Sequence, residues 1–232
     1  MKFSFIVMSV LLVAALIVVV VRAPVAADFG QLGNRARDFV KGPYSSIVFE
    51  IDYFTTRPEI APNQNEVARF LTFVEQYTGK KTSVVYQTIS SSLATTGHWD
   101  DNELRALDEQ TRSAYSSFLF GNVLAVHIIY ANGLYEPPDN DVTGLALRAT
   151  TIVIFKGLFE TIAPDAEDAI LAHEFGHLLG LCGQFGDPSS ICDGAGHAKD
   201  AASLMAVKID MRVPAVQELR FSEMEVAMLN AL

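Results

Sequence analysis

Positive charge is scarce in this chain: 17 Lys and Arg residues stand against 27 Asp and Glu, for a net charge of −10. Nucleic-acid binding needs basic patches, so this balance, with a pI near 4.9, excludes nucleic acid as an expected partner. A surplus of negative charge on this scale mainly favours solubility. Cysteine is scarcer still. Cys182 and Cys192 are the only two, too few for a separate four-thiolate zinc site. They form a disulfide in an oxidising compartment or stay as free thiols in a reducing one, and spacing alone does not choose. No internal repeat or low-complexity tract is evident, so nothing suggests a repeat array.

What is present begins with an apolar N-terminus. Phe3 to Val21 is an uncharged run of 19 residues, broken only by Ser4 and Ser9. At 1.5 Å rise per residue it spans most of a hydrocarbon core roughly 30 Å thick. A secretory signal usually has a shorter apolar region, about 7–15 residues. Yet Val25-Ala26-Ala27 before Asp28 resembles a small-residue cleavage site. Lys2 and Arg22 flank the run, so charge bias does not orient it. The expected organisation is a signal anchor or signal peptide over 1–22, a linker over 23–43 and one domain over 44–232. That domain is expected outside the cytoplasm, membrane-anchored or secreted.

The chemistry is concentrated in His173-Glu174-Phe175-Gly176-His177-Leu178-Leu179-Gly180, which reads H-E-x-x-H-x-x-G. Residues four apart share one face of a helix, so His173 and His177 can point two imidazoles at one metal ion. Glu174 between them can reach a water in the metal's open position and act as general base. The context predicts an amphipathic helix rather than a chance pair of histidines. Asp165, Glu167 and Asp168 fall in the first turn, and Pro164 suits a helix start. Leu171, Phe175 and Leu178 supply an apolar face, and Gly180 stands where a left-handed cap would stop the helix.

Catalytic zinc (Zn2+) usually takes three protein ligands and a water, so a third ligand is needed. Here the chain resembles the metzincin peptidases, most closely the matrixins. Their pattern H-E-x-x-H-x-x-G-x-x-H would put the third ligand at Gly183, which has no side chain to offer. Further on, Gly194 to Met205 looks like the matrixin continuation, in which a ligand histidine is followed by Asp and then by the methionine of the Met-turn. His197, Asp200 and Met205 reproduce that spacing, which implies an insertion of about fourteen residues (183 to 197). The resemblance therefore implies His173, His177 and His197 as metal ligands and Glu174 as the catalytic residue. Met205 would lie beneath the histidines as a polarizable base rather than as a ligand. Asp187 and Asp193 compete for the third position, and Glu218, Glu223 or Glu225 would serve if the chain were a gluzincin. Matrixins usually have Tyr and Pro after this methionine, whereas Ala206 and Val207 follow here. Val207 to Val216, with Pro214, would wall the substrate pocket by position. No cysteine precedes Cys182, so no cysteine-bearing propeptide is expected.

Elsewhere the chain reads as an α+β domain. Ser45–Phe54 and Ser83–Gln87 read as strands, with a helix from Pro62 to Gly79 between them. A helix from Asp100 to about Ser116 follows, then buried strands at Asn122–Tyr130 and Thr150–Phe155. This order suits a twisted mixed sheet packed on the active-site helix, as in a metzincin domain. The resemblance implies an edge strand at Leu145–Ala149 that would pair with an extended peptide. Loops at Ser90–Trp99 and Glu136–Asp141 could shape the cleft. His127 reads as a satisfied core histidine, and His98 has no obvious partner. Ser222 and Glu225 predict a capping box on a final helix.

The expected function is a zinc-dependent endopeptidase acting on protein or peptide substrates, with membrane contact through its N-terminal segment. The alternatives are an envelope-anchored binding protein with a structural or vestigial zinc site, and a gluzincin-type peptidase.

Overall fold

The computed structural model describes residues 31–54, 60–90, 97–113, 122–136, 142–156, 165–183, 191–193, 196–206, 208, 212 and 214–232. The apolar run Phe3–Val21, Pro164, Asp187, Val207 and parts of both expected cleft loops lie outside them. Among the described residues no helix is long and apolar enough to cross a membrane.

Five strands form one mixed sheet. They are β1 (Ser46–Phe54), β2 (Lys81–Ile89), β4 (Val123–Tyr130), β6 (Gly144–Arg148) and β7 (Thr151–Ile154), in the order β2-β1-β4-β7-β6. β2, β1, β4 and β7 run parallel, and β6 joins antiparallel at the edge. Parallel neighbours need crossovers, and helix α2 (Gln64–Thr78) supplies the one between β1 and β2. Asn63 caps α2 at its start, and Gly79, in the left-handed region at φ 66°, ends it. A second ribbon of two short strands pairs β3 (His98–Trp99) with β5 (Leu134–Tyr135).

Alternation along the strands divides the core between the two faces of the sheet. Ile47, Phe49 and Ile51 of β1 join Leu124, Val126 and Ile128 of β4 beneath α2 and helix α4 (Glu167–Leu178). Phe54, Ile129 and Val153 point the other way, against Trp99 and Leu104 and Leu107 of helix α3 (Asp101–Thr111). α3 begins at the Asp100–Glu103 capping box and ends at Thr111, shorter than the expected Ser116. The short helix α1 (Ala36–Val40) falls within the expected linker, yet its Phe39 is fully buried, with its ring 5.2 Å from that of Phe175. Two further helices follow near the C-terminus, α5 (Pro214–Gln217) and α6 (Glu223–Ala231).

The amphipathic reading of α4 is corrected. Every residue from Glu167 to Gly176 is buried, as is Leu178. The helix runs between the sheet, α2 and the segment around Met205, so it has almost no solvent face. Glu167 and Asp168 in its first turn are therefore buried anchors, whereas Asp165 is exposed. The Glu167 carboxylate accepts from Tyr130 Oη at 2.6 Å and from the Asn63 backbone N–H at 3.0 Å, and pairs with Lys156 Nζ at 2.9 Å. Asp168 pairs with Arg69 at 2.5 Å. The helix start, which lacks a side-chain cap of its own, is satisfied by Glu66 of α2, whose carboxylate accepts from Glu167 N–H at 2.7 Å.

Removing one partner of a buried ion pair leaves the other charge uncompensated, at about 3–5 kcal/mol. Glu167→Ala, which removes the carboxylate paired with the buried Lys156, is expected to lower unfolding stability by that amount in urea titration. A loss below about 1 kcal/mol, the worth of a surface pair, would contradict the network assigned to Glu167.

Candidate metal centre

α4 ends where the sequence places Gly180. Gly180, at φ 74°, donates its N–H to the His177 carbonyl at 3.0 Å, and Leu181 donates to Gly176 at 3.0 Å. This pair of bonds is the Schellman arrangement, which turns the chain sharply after the second histidine. The turn delivers Cys182, which forms a disulfide with Cys192. The bridge holds Cys192 beside the end of the helix.

His197 stands on a segment held by isolated bridges from Ala198 to Cys192 and to Ala206. The Asp193 N–H donates to the His197 carbonyl at 2.8 Å, and Asp193 Oδ1 accepts the His197 N–H at 3.0 Å. Lys199 N–H reaches Ile191 O at 2.8 Å, and Ala198 N–H reaches Met205 O at 2.8 Å. Gly196, at φ 99°, lets the backbone pass over His177. The third imidazole is thus tied on one side to the disulfide and on the other to the methionine turn.

The three rings meet. Centroids lie 4.8 Å apart for His173 and His177, 5.4 Å for His173 and His197, and 5.1 Å for His177 and His197. One ring nitrogen from each falls within 4.8 Å of the others. His173 Nδ1 lies 2.8 Å from the Leu204 carbonyl oxygen. A carbonyl only accepts, so Nδ1 carries the proton and Nε2 keeps its lone pair. That Nε2 faces His177 Nε2 at 3.1 Å. His197 Nδ1 is buried with no hydrogen-bond partner among the described residues. Burial pushes the His173 pKa down to about 4, offset in part by the Leu204 bond. Burial, then the neighbouring His173 and His197, push His177 down to about 3. Neutral imidazoles with exposed lone pairs are what zinc requires, so this donor set fits that ion.

Met205 is fully buried and packs against α4 at Gly176. A Cβ at Gly176 would run into Met205 Sδ, so a glycine in the variable part of H-E-x-x-H has a steric reason. The turn is braced from the C-terminus. Ser203 Oγ accepts the Met205 N–H at 2.9 Å and donates to the buried Glu225 carboxylate. Glu225 also closes the expected capping box of α6 with Ser222. Of the other acids weighed as rival ligands, Glu225 braces Ser203, Glu218 pairs with Arg220 at the surface and Glu223 opens α6, while Asp187 lies outside the described residues. Asp193 Oδ1 accepts the His197 backbone N–H, and its Oδ2 lies 3.9 Å from His197 Nδ1.

Glu174 lines the same cleft as His177 and His197. The cleft, about 730 Å³, is lined by Glu174, His177, His197 and the β6 segment from Gly144 to Leu147. Burial pushes the Glu174 carboxyl up to about 8, although the Ala146 backbone N–H bonded to it works the other way. Gly144 makes this approach possible. A Cβ there would stand 2.8 Å from Glu174 Cγ, from its Oε1 and from Ile170 Cγ2.

Other expected residues separate from the site. His98 lies 3.4 Å from the exposed Glu136. His127 is a core histidine on the opposite face of the sheet, with Asp108 and Asp52 at its two nitrogens. Burial opposes its protonation, but bonds to the two carboxylates outweigh that and raise its pKa. The sequence reading missed Leu204 as the His173 partner and Gly144 as the neighbour of Glu174. A backbone carbonyl carries no residue signature, but a glycine opening an otherwise apolar strand was visible as a mark of close approach.

No family model matches the chain, and no curated protein matches it. Among solved structures the chain is similar to archaemetzincin from Methanopyrus kandleri. Identity is 18%, the match covers 81% of this chain and 95% of that chain, and the TM-score is 0.48.

Crowding at Gly144 yields a direct test. Gly144→Ala is expected to lower stability by about 1–3 kcal/mol through overpacking against Glu174 and Ile170. Urea unfolding of the purified variant reads this, and a stability equal to wild type would contradict the contact.

Proposed function

We propose that this chain is a zinc-dependent peptidase, and more narrowly an endopeptidase of the metzincin type. The observation that carries the reading is the convergence of His173, His177 and His197, from two segments far apart in sequence, to within 4.8 Å of one another. His173, His177 and His197 would hold the ion. When bound, zinc supplies Lewis acidity, which polarises a scissile carbonyl and makes water a nucleophile near neutral pH.

The chain's own residues supply the rest. Glu174 accepts the proton of the attacking water and returns it to the leaving amine, so it ends the cycle as it began. Its raised pKa suits a group that must both take and give a proton near neutrality. The edge strand β6 offers backbone N–H and C=O groups along the cleft, where an extended peptide can add as a further strand. Asp193 holds the His197 backbone, and Leu204 holds the tautomer of His173.

The gluzincin alternative has less support, since Glu225 is committed to Ser203 and to its own helix cap. A closed structural site also has less support, because its fourth ligand would have to come from the protein. Among the described residues no fourth His, Cys, Asp or Glu joins the cluster. The apolar run Phe3–Val21 makes membrane anchoring or secretion part of the same proposal, and the Cys182–Cys192 bridge agrees with an oxidising compartment.

Glu174→Ala is expected to retain zinc while cleavage of a peptide library falls by about 10²–10⁴-fold. His197→Ala is expected to lose zinc as well as cleavage. Full hydrolysis by Glu174→Ala would overturn the role of Glu174, and unchanged zinc content in His197→Ala would return the third position to an aspartate.

A further inference from the structure

The face of the sheet away from α4 carries a second group of donors that the peptidase reading does not use. Glu50 and Asp52 lie two apart on β1 and so point to the same side, and His127 of β4 is the register partner of Glu50. All three are buried, at 1%, 2% and 1% exposure. One ligand atom from each falls within 4.8 Å of the others. This is the same closeness that the three imidazoles reach on the other face.

The charges around this group are uneven. Asp108, at His127 Nδ1, is also met by Arg112 at 3.1 Å and Arg148 at 3.4 Å, and Arg148 pairs with Glu109 at 2.8 Å, so the carboxylate at that end is matched by guanidinium groups. The other end holds two carboxylates, and among the described residues His127 is the cation facing them. Glu50 Oε1 accepts from Gln87 Nε2 at 2.7 Å and from the Ser113 N–H at 2.6 Å, both neutral donors. Asp52 Oδ1 has no partner among the described residues, although the side chain is buried. A buried carboxylate oxygen without a donor is costly, and each such group calls for a physical explanation.

We propose that Glu50, Asp52 and His127 form a second divalent-cation site on the face of the sheet opposite the three-histidine centre. Two carboxylates and one imidazole suit a first-row cation of the zinc or manganese class. His127 is already oriented for it. Metal-bound histidines commonly donate their other ring N–H to a carboxylate, and Asp108 accepts from Nδ1 at 2.7 Å. Without a cation, Nε2 needs a proton to bond Asp52 at 3.0 Å. Cation binding releases that proton, puts the Nε2 lone pair on the ion, and gives Asp52 Oδ1 a partner. The inference does not depend on the peptidase reading and would survive its failure.

The test uses the full chain with His177→Ala and His197→Ala, which leaves the helix site one imidazole. After loading with zinc chloride and desalting, this double variant is expected to retain zinc in a one-to-one ratio. Adding Asp52→Asn is expected to abolish that retention. Nitrogen-15 spectra of the zinc-treated double variant are expected to show His127 with one protonated and one metal-bound nitrogen. Should the Asp52→Asn chain fail to fold, those spectra decide alone. Loss of all zinc from the double variant, or His127 protonated at both nitrogens with zinc present, overturns the proposal.

Discussion

The site depends on one contact, the seating of the turn at Ser203–Ala206 against the middle of α4. Gly176 lets Met205 lie directly on the helix, and the Leu204 carbonyl then meets His173 Nδ1 at 2.8 Å. That bond fixes which nitrogen of His173 is protonated, and so which lone pair faces the other imidazoles. The same turn receives Ala198 N–H on the Met205 carbonyl, which holds the segment bearing His197. Glu225 braces it from behind through Ser203. One close approach between a glycine and a methionine therefore orients two of the three histidines.

The fold supplies what this contact cannot. α4 is held at its start by the Glu66 cap and by the buried bonds of Glu167, and stopped at its end by Gly180. Its axis is thus fixed by contacts outside the site. β6 lies antiparallel at the sheet edge, so its backbone borders the cleft instead of being paired away. Glu174 sits between the two, desolvated by the strand and adjacent to the cluster. The geometry makes its carboxyl a basic one, because burial disfavours the charged form more than the Ala146 N–H favours it.

Much of this was legible in the sequence because it rests on local periodicity and residue chemistry. The i, i+4 spacing of His173 and His177, the terminating Gly180 and the capping box at Ser222 are all short-range patterns. The placing of His197 came from a resemblance, since nothing in the spacing of a loop says where it returns. The character of α4 was misread. Acids in a first turn look like surface charges, and only the tertiary structure shows Glu167 enclosed by Tyr130, Asn63 and Lys156. His127 was legible as a core histidine, but its two aspartates come from β1 and α3, distant segments that no window along the chain connects. Gly144 and Leu204 act through space and backbone, which leave little trace in residue type.

The account stands on a metal ion held by three imidazoles. A zinc-edge anomalous difference map from crystals of the zinc-loaded chain tests it most directly. The expected result is a peak about 2.0–2.1 Å from one nitrogen each of His173, His177 and His197, with a fourth position not filled by protein. No peak among these rings, or a peak with Asp193 in place of His197, would contradict the account.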